Sequence, residues 1–313
     1  MSPTSGVSAT PPADTTAPAD TAPAADTAAT APGSTARRAG RNVVAVVTAE
    51  LLGKGATLAF TVVVARQLGA TGFGSFSYGL AFGLLLATFI AWGFDSEVMR
   101  RGSADRAELD RVVARALALR TVHALPIVVL GGVFGVLTRP DTGSAAALVL
   151  LMLAAVLDSY GDCLRTAATA CGAPGPASFA LVLQRVAACV LAITALAAGG
   201  GLVAVCTTYL ASSVLGEAAL VVMVRRLGVR FPRTAVTAAG LRELWRSSFL
   251  LGLDAVLGMA LFRVDMLILG ALAGDRDVAE YAVGYRLMET VLFVTWAVSR
   301  SLVPAMVQAG TGR

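Results

Sequence analysis

One histidine, His123, and one lysine, Lys54, stand among 313 residues, so a metal centre or catalytic triad built on histidine lacks its usual ligand. The four cysteines, Cys163, Cys171, Cys189 and Cys206, lie in or beside apolar runs without a CxxC spacing. They read as small buried hydrophobes and not as a zinc site or disulfide framework. Charge is scarce as well. Only 14% of residues are charged, against about 25% in soluble domains, while 56% are hydrophobic, which excludes an ordinary soluble domain. A mean hydropathy of +0.74 fits a polytopic membrane protein. Residues Met1 to Ala36 have no aromatic residue and consist largely of Ala, Pro, Thr and Ser. Such a stretch cannot bury enough surface to offset its ordering and is expected to be a disordered tail. It has neither the basic start nor the apolar core of a secretory signal, so the first membrane helix is expected to stay as an uncleaved anchor.

What is present is a series of apolar runs of about 20 residues, the length an α-helix needs to cross roughly 30 Å of hydrocarbon. The expected spans are Asn42 to Ala65, Phe73 to Phe94, Ala116 to Leu137, Ala145 to Leu164, Ala177 to Ala198, Leu202 to Val224, Phe249 to Ala273 and Val278 to Val303. Polar turns separate them at 67–72, 139–143, 172–176, 199–201 and 274–277, and two charged segments, Asp95 to Arg115 and Arg225 to Arg246, read as loops. Pro126 is expected to kink the third span. The reading is an all-α polytopic membrane bundle of about eight transmembrane helices with a cytoplasmic N-terminus. Its organisation is a tail over 1–40, a first six-helix lobe over 41–230 and the start of a second lobe over 231–313.

Arginines test that topology, because inner loops of membrane proteins carry them. Fifteen fall on segments that alternate to one side: Arg37, Arg38, Arg41, Arg100, Arg101, Arg106, Arg111, Arg115, Arg165, Arg225, Arg226, Arg230, Arg233, Arg242 and Arg246. The opposite turns hold three, Arg66, Arg139 and Arg276. The net charge of +5 is thus explained by orientation, with anionic lipid headgroups as neighbours and no need for nucleic acid.

Ionisable residues inside the spans carry the candidate chemistry, since a charge at mid-depth costs about 2.5 to 3.5 kcal/mol and must face protein or water. Glu50 and Lys54 share a helix face at the favourable i,i+4 spacing. Asp158 and Asp162 repel one another one turn apart and call for a cation, a shared proton or arginines such as Arg165, with Arg185 at similar depth on the next span. The sixth span holds Glu217. In the last hairpin Asp254, Arg263 and Asp265 face Arg286 and Glu289, and similar depth from the turn predicts a cross-helix Asp265–Arg286 pair. For each residue, helix-to-helix pairing competes with a role in lining a polar cavity. A membrane enzyme would need acid, base or nucleophile grouped at a membrane face. Only Asp95/Glu97 and Asp105/Glu108/Asp110 qualify, and they read as solvated charges among arginines.

Phe73-Gly-Ser-Phe-Ser laid on Val278-Ala-Glu-Tyr-Ala gives a weak internal repeat, the kind from which two-lobed transporters are built. Two longer passages carry a resemblance. The first runs from Ala65-Arg-Gln-Leu-Gly-Ala-Thr-Gly-Phe-Gly-Ser-Phe-Ser-Tyr-Gly-Leu-Ala-Phe82 to Gly93-Phe-Asp95, Arg100 and Arg101. The second is Phe262-Arg-Val-Asp-Met266 followed by Val278-Ala-Glu-Tyr-Ala-Val-Gly-Tyr-Arg-Leu287 and Pro304. With these, Arg41 to Pro304 resembles the Wzx-like flippases for polysaccharide and oligosaccharide lipids, in the multidrug/oligosaccharidyl-lipid/polysaccharide exporter superfamily.

The resemblance implies a flippase, not an enzyme, moving a lipid-linked oligosaccharide across the bacterial cytoplasmic membrane by rocking two lobes. It implies Arg185, Arg263, Arg286 and Lys54 on the lipid pyrophosphate. Glu50, Asp158, Asp162, Glu217, Asp254, Asp265 and Glu289 would bind a coupling proton or monovalent cation or hold those arginines. No cofactor is implied. Partners would be the bilayer, the lipid-linked oligosaccharide and polysaccharide polymerase or glycosyltransferase machinery. The family has twelve to fourteen helices, so eight are expected to be a truncated form. The alternatives are a multidrug or small-cation antiporter of the same architecture, or a transport-inactive fragment or assembly subunit.

Overall fold

A computed structural model describes the backbone of residues 32–138, 141–286 and 288, with side chains from residue 48 onward. Contacts divide the chain into residues 1–39 and residues 40–313, and the bundle belongs to the second unit. Among the described residues every regular element is helical: α1 (Pro32–Ala91), α2 (Phe94–Gly102), α3 (Arg106–Thr138), α4 (Thr142–Ala170), α5 (Pro174–Ala197), α6 (Leu202–Arg226), a 3₁₀ turn (Arg233–Ala235), α7 (Ala238–Leu272) and α8, described over 275–286.

α1 is not one rod. At Gly69 the backbone turns to φ 67°, ψ −177°, a conformation open to glycine because it has no Cβ. The helix reverses there. Phe60 and Phe76 would lie about 24 Å apart along a straight helix at 1.5 Å per residue, yet their ring centroids are 5.5 Å apart. The expected first and second spans are therefore the two arms of α1. Among the described residues six helices are long and apolar enough to cross a membrane, Thr48–Ala91 within α1 and then α3 to α7, and the folded-back α1 supplies two crossings. The eighth expected span begins as α8, and its remainder lies outside the described residues.

The two charged segments read as loops are a correction. Asp95 to Arg115 folds as α2 and the first three turns of α3, and the 225–246 segment gives its last nine residues to α7. Leu109, Val112, Val113, Ala116, Leu119 and Arg120 are buried at helical spacing, so an apolar stripe drives the helix although charges dilute its hydropathy. Pro126 sits inside α3, which continues past it.

Small residues let the elements close up. A Cβ on Gly79 would come within 2.9 Å of Leu151 Cδ1, and one on Gly83 within 3.0 Å of the Leu151 carbonyl oxygen, so the second arm of α1 lies directly against α4. α4 also packs on α3, α5 and α6, and α7 on α2 and α3. Apolar side chains gather in two layers. One joins Phe60, Phe73, Phe76, Leu151 and Val205 to Met266, Val278 and Ala282, bringing both repeated passages into one cluster. The other, around Phe94, Val112, Leu164, Leu220 and Leu244, lies toward the end where the arginines collect.

Candidate functional site

The arginine-rich end is tied rather than loose. Glu97, 3% exposed, accepts from Arg100 Nη2 and Arg101 Nε at 2.7 Å each. Burial alone would raise its pKa, but the hydrogen bonds from Arg100 and Arg101 outweigh this and hold its carboxyl below the usual range. Glu97 is thus no solvated charge. Arg101 reaches on to Glu243 of α7 at 2.6 Å and to the Ser247 hydroxyl at 3.1 Å, and Arg115 lies 3.5 Å from the same Glu243. Asp110 accepts the Arg230 N–H at 3.0 Å, and Arg106 donates to the Leu227 carbonyl. Beside them Trp92 stacks on Trp245 with centroids 5.1 Å apart, where the left-handed φ of 69° at Gly93 divides α1 from α2. At the opposite end the Ser75 hydroxyl bonds to Asp275 and lies 3.5 Å from the Ser144 hydroxyl. The α7–α8 hairpin is therefore fastened to the preceding helices at both ends.

Between those ends lies a line of interior charge. Arg120, fully buried, pairs with Asp95, and Arg165 pairs with Asp162, whose side chain is 60% exposed. Asp158, half-buried on α4, accepts from the Gln184 amide at 2.7 Å, and that amide also lies 3.3 Å from the Ser213 hydroxyl. The expected answer to the Asp158/Asp162 repulsion divides accordingly: Asp162 takes Arg165 and Asp158 takes a neutral amide. Glu217 of α6 is buried, with Oε1 3.9 Å from Arg165 Nη1.

Deeper along the same helices, Tyr209 of α6 sits among the rings of Phe60 and Phe76, at 5.9 and 6.1 Å, and within electrostatic reach of Asp158, Arg286 and Arg185. Two of the four cationic residues expected at a phosphate, one on α5 and one on α8, are thus within electrostatic reach of the same ring. Arg185 lies over Gly53 of α1, where an added Cβ would be 2.8 Å from its Nη1, and that nitrogen is buried with no hydrogen-bond partner among the described residues. Arg263 instead lies over the Tyr285 ring, 5.0 Å from its centroid. Lys54 is exposed on the first arm of α1, near half-buried Glu50 and exposed Leu51, Leu52 and Leu58, a face the described residues do not cover. Asp254 is exposed on α7. Glu289 lies outside the described residues.

For Asp265, expected to pair with Arg286, two hydrogen-bond donors are seen among the described residues. The Asp265 carboxylate accepts from the Tyr281 hydroxyl and from the Met266 N–H at 2.8 Å, while the Tyr285 hydroxyl donates to the Phe262 carbonyl at 2.6 Å. Tyr281 and Tyr285 are one turn apart and share the face toward α7, and Arg286 is turned about 100° from Tyr285.

Sequence reasoning passed over Arg120, although it stands inside the third apolar run and any in-span arginine requires a partner. It also passed over Gln184, Ser213 and Tyr209. For these the only signal was helical spacing, Gln184 beside Arg185 and Ser213 one turn from both Tyr209 and Glu217.

A family model described as "Polysaccharide biosynthesis protein" matches residues 39–309. No curated protein matches the sequence closely enough to count as a relative. Among solved structures the chain is similar to the inward-facing form of a multidrug resistance MATE family transporter of the MOP superfamily, at 19% identity and TM-score 0.58 over 78% of this chain and 58% of that one. An outward-facing structure of such a transporter gives 17% identity and TM-score 0.59 over 80% and 60%. A MOP superfamily transporter from Pyrococcus furiosus, described as having a binding pocket of reverse polarity, gives 21% and 0.60 over 79% and 60%. At such identity the likeness is one of fold, and this chain spans about three fifths of the length of those transporters.

Proposed function

The chain belongs to the polysaccharide biosynthesis protein family, and from that premise we propose that it is an exporter moving a lipid-linked oligosaccharide or polysaccharide precursor across the bacterial cytoplasmic membrane by alternating access. The observation that carries this reading is that Arg185 and Arg286, on two different helices, both lie within electrostatic reach of Tyr209, Arg185 with a buried guanidinium nitrogen over Gly53 of α1. A lipid pyrophosphate is a delocalised anion, and guanidinium groups meet such oxygens in bidentate, charge-assisted hydrogen bonds. Arg185 Nη1, buried with its donor unused among the described residues, is suited to that contact. Arg263 and Lys54 are the second-tier cations, reaching the headgroup as it moves along α7 and α1. The arginine-rich end faces the cytoplasm, following the positive-inside rule. The translocation needs no covalent step, so the reading is a transporter and not an enzyme, working beside polymerase or glycosyltransferase machinery. Its coupling ion is a proton or monovalent cation carried among the interior acids.

A second reading, multidrug or small-cation export, is favoured by one feature: Asp158 lies within reach of the same Phe60–Phe76–Tyr209 rings, an arrangement that attracts organic cations. Two guanidiniums at that place repel them. In cells whose polymer export depends on this chain, Arg185→Gln and Arg286→Gln are each expected to lower export about ten-fold, the worth of one charge-assisted contact, at unchanged membrane abundance. Drug efflux lost in Asp158→Asn, with export intact in both arginine variants, would favour the second reading. Export falling only in step with abundance would make the arginines structural.

A further inference from the structure

Glu217 is the acid that the interior network leaves without a donor. Within electrostatic reach of one another the network holds four carboxylates, Asp95, Asp158, Asp162 and Glu217, and two guanidiniums, Arg120 and Arg165. Asp95 takes Arg120, Asp162 takes Arg165, and Asp158 takes the Gln184 amide. Glu217 is 9% exposed, and neither of its carboxylate oxygens has a hydrogen-bond partner among the described residues. Facing it, Arg165 Nη1 is also buried without one, across a gap of 3.9 Å, too long for a hydrogen bond. The carboxyl lies over Gly161 of α4, where a Cβ would overlap it, so α4 keeps a space for this group. An ionised carboxylate buried with no hydrogen bond is among the costliest arrangements a protein interior can hold, whereas the neutral acid removes most of that cost.

We propose that Glu217 is a proton-binding site between α4 and α6, with Arg165 as its movable counter-charge and Asp162 as its opening to water. With the proton on Glu217, Arg165 stays on Asp162, as in the present geometry. When the proton leaves to water past Asp162, the Glu217 carboxylate gains a full charge, and Arg165 closes the 3.9 Å gap to a charge-assisted hydrogen bond of about 2.8 Å. Arg165 is shared by the two acids, so one proton decides which of them it holds, and closing onto Glu217 draws α4 and α6 together. The groups facing Glu217 are Asp158, Asp162 and Arg165 from α4 and Arg120 from α3, while α5 offers the neutral Gln184. A metal cation is disfavoured because no three His, Cys, Asp or Glu side chains converge among the described residues. The inference deepens the export reading, on which the purpose of the site rests but its geometry does not.

Two measurements on the full chain, neither involving a substrate, test it. Infrared spectra of the wild type in nanodiscs should show a protonated-carboxyl stretch that disappears as pH is raised. That stretch should be absent in Glu217→Gln, retained in Asp158→Asn but lost at lower pH because a facing negative charge is gone, and persist to higher pH by about one unit in Arg165→Gln, where the counter-charge is lost. Independently of any variant, a hydrophobic carbodiimide, which attacks buried protonated carboxyls, should modify Glu217 in the wild type, less so at high pH. A stretch surviving in Glu217→Gln, no carbodiimide adduct on Glu217, or protection by sodium at constant pH would each overturn the proposal. Export can fail while these signals stand, and the reverse, so the two readings fail separately.

Discussion

Arg120 is the largest side chain buried to completion among the described residues, and its partner Asp95 is about a third exposed at the edge of the bundle. Removing one member of such a pair strands the other, which costs more than the pair is worth. Arg120→Met is expected to destabilise the protein by about 3 kcal/mol, and Arg120→Met with Asp95→Asn should recover most of that loss in thermal unfolding in detergent. Equal loss in both would mean that Arg120 matters for its packing alone. Glu97 gives a pH signature of a definite sign. Its folded-state pKa is depressed, so its contribution is fully present above the unfolded value near 4.5 and is lost as pH falls through the folded value. Glu97→Gln should cost about 2 kcal/mol at neutral pH and progressively less in acid, read from unfolding midpoints across pH. A cost that does not change with pH would remove ionisation from the explanation. At this scale the sequence was legible in part. The burial of in-span charge followed from the cost of leaving it in lipid, so a partner for Asp162 could be named. Rotation about a helix axis could not be read from depth, so the Tyr281 hydroxyl on Asp265 was not foreseen.

The helices themselves were legible because apolar runs of span length have few alternatives in a membrane, and expected turns hold the left-handed Gly69, Gly172, Gly199 and Gly274, although α5 already begins at Pro174 and α8 at residue 275. The misjudged segment, 95–115, has the same helical stripe, from Phe94, Glu97 and Val98 through Leu109 and Val112, but its charges lower every hydropathy window. Contacts between elements yield two further expectations. Gly83→Val would drive a side chain into the Leu151 and Met152 backbone of α4, and overpacking of this kind costs about 1 to 3 kcal/mol, more than valine adds to helix propensity. A lowered unfolding temperature checks it, and an unchanged one would mean that α1 and α4 are free to part. The Glu243 clasp is the other. Ser248, fully buried five residues farther along α7, replaced by cysteine should be nearly inert to thiol reagents, and adding Glu243→Ala should raise its reactivity roughly two- to five-fold, the range of a partly exposed ion pair. No change would show that the Trp92–Trp245 stack holds α7 without the carboxylate.

For the whole molecule, the arginine-bearing segments 97–115, 165–174 and 225–247 meet at one end of the bundle, while Ser75, Ser144 and Asp275 meet at the other. That gathering follows from the twelve arginines these segments place on alternate connections, a pattern one missed or added span would have scrambled. Cysteines placed at Thr142 and Gly274 should therefore react with an impermeant reagent from outside intact cells, and those at Ser103 and Thr234 should not. What the sequence could not show was that Arg185 of α5 and Arg286 of α8 lie within electrostatic reach of the same Tyr209, because it depends on how the hairpin docks. The central claim, that this place holds a polyprenyl pyrophosphate carrying sugars, is tested most directly in proteoliposomes containing the chain and a fluorescent lipid-linked oligosaccharide. Quenching of the label from outside should report its transfer between leaflets, about ten-fold slower with Arg185→Gln or Arg286→Gln and unaffected by an organic-cation competitor. Transfer at the wild-type rate in both variants, or its inhibition by the organic cation, would contradict the account.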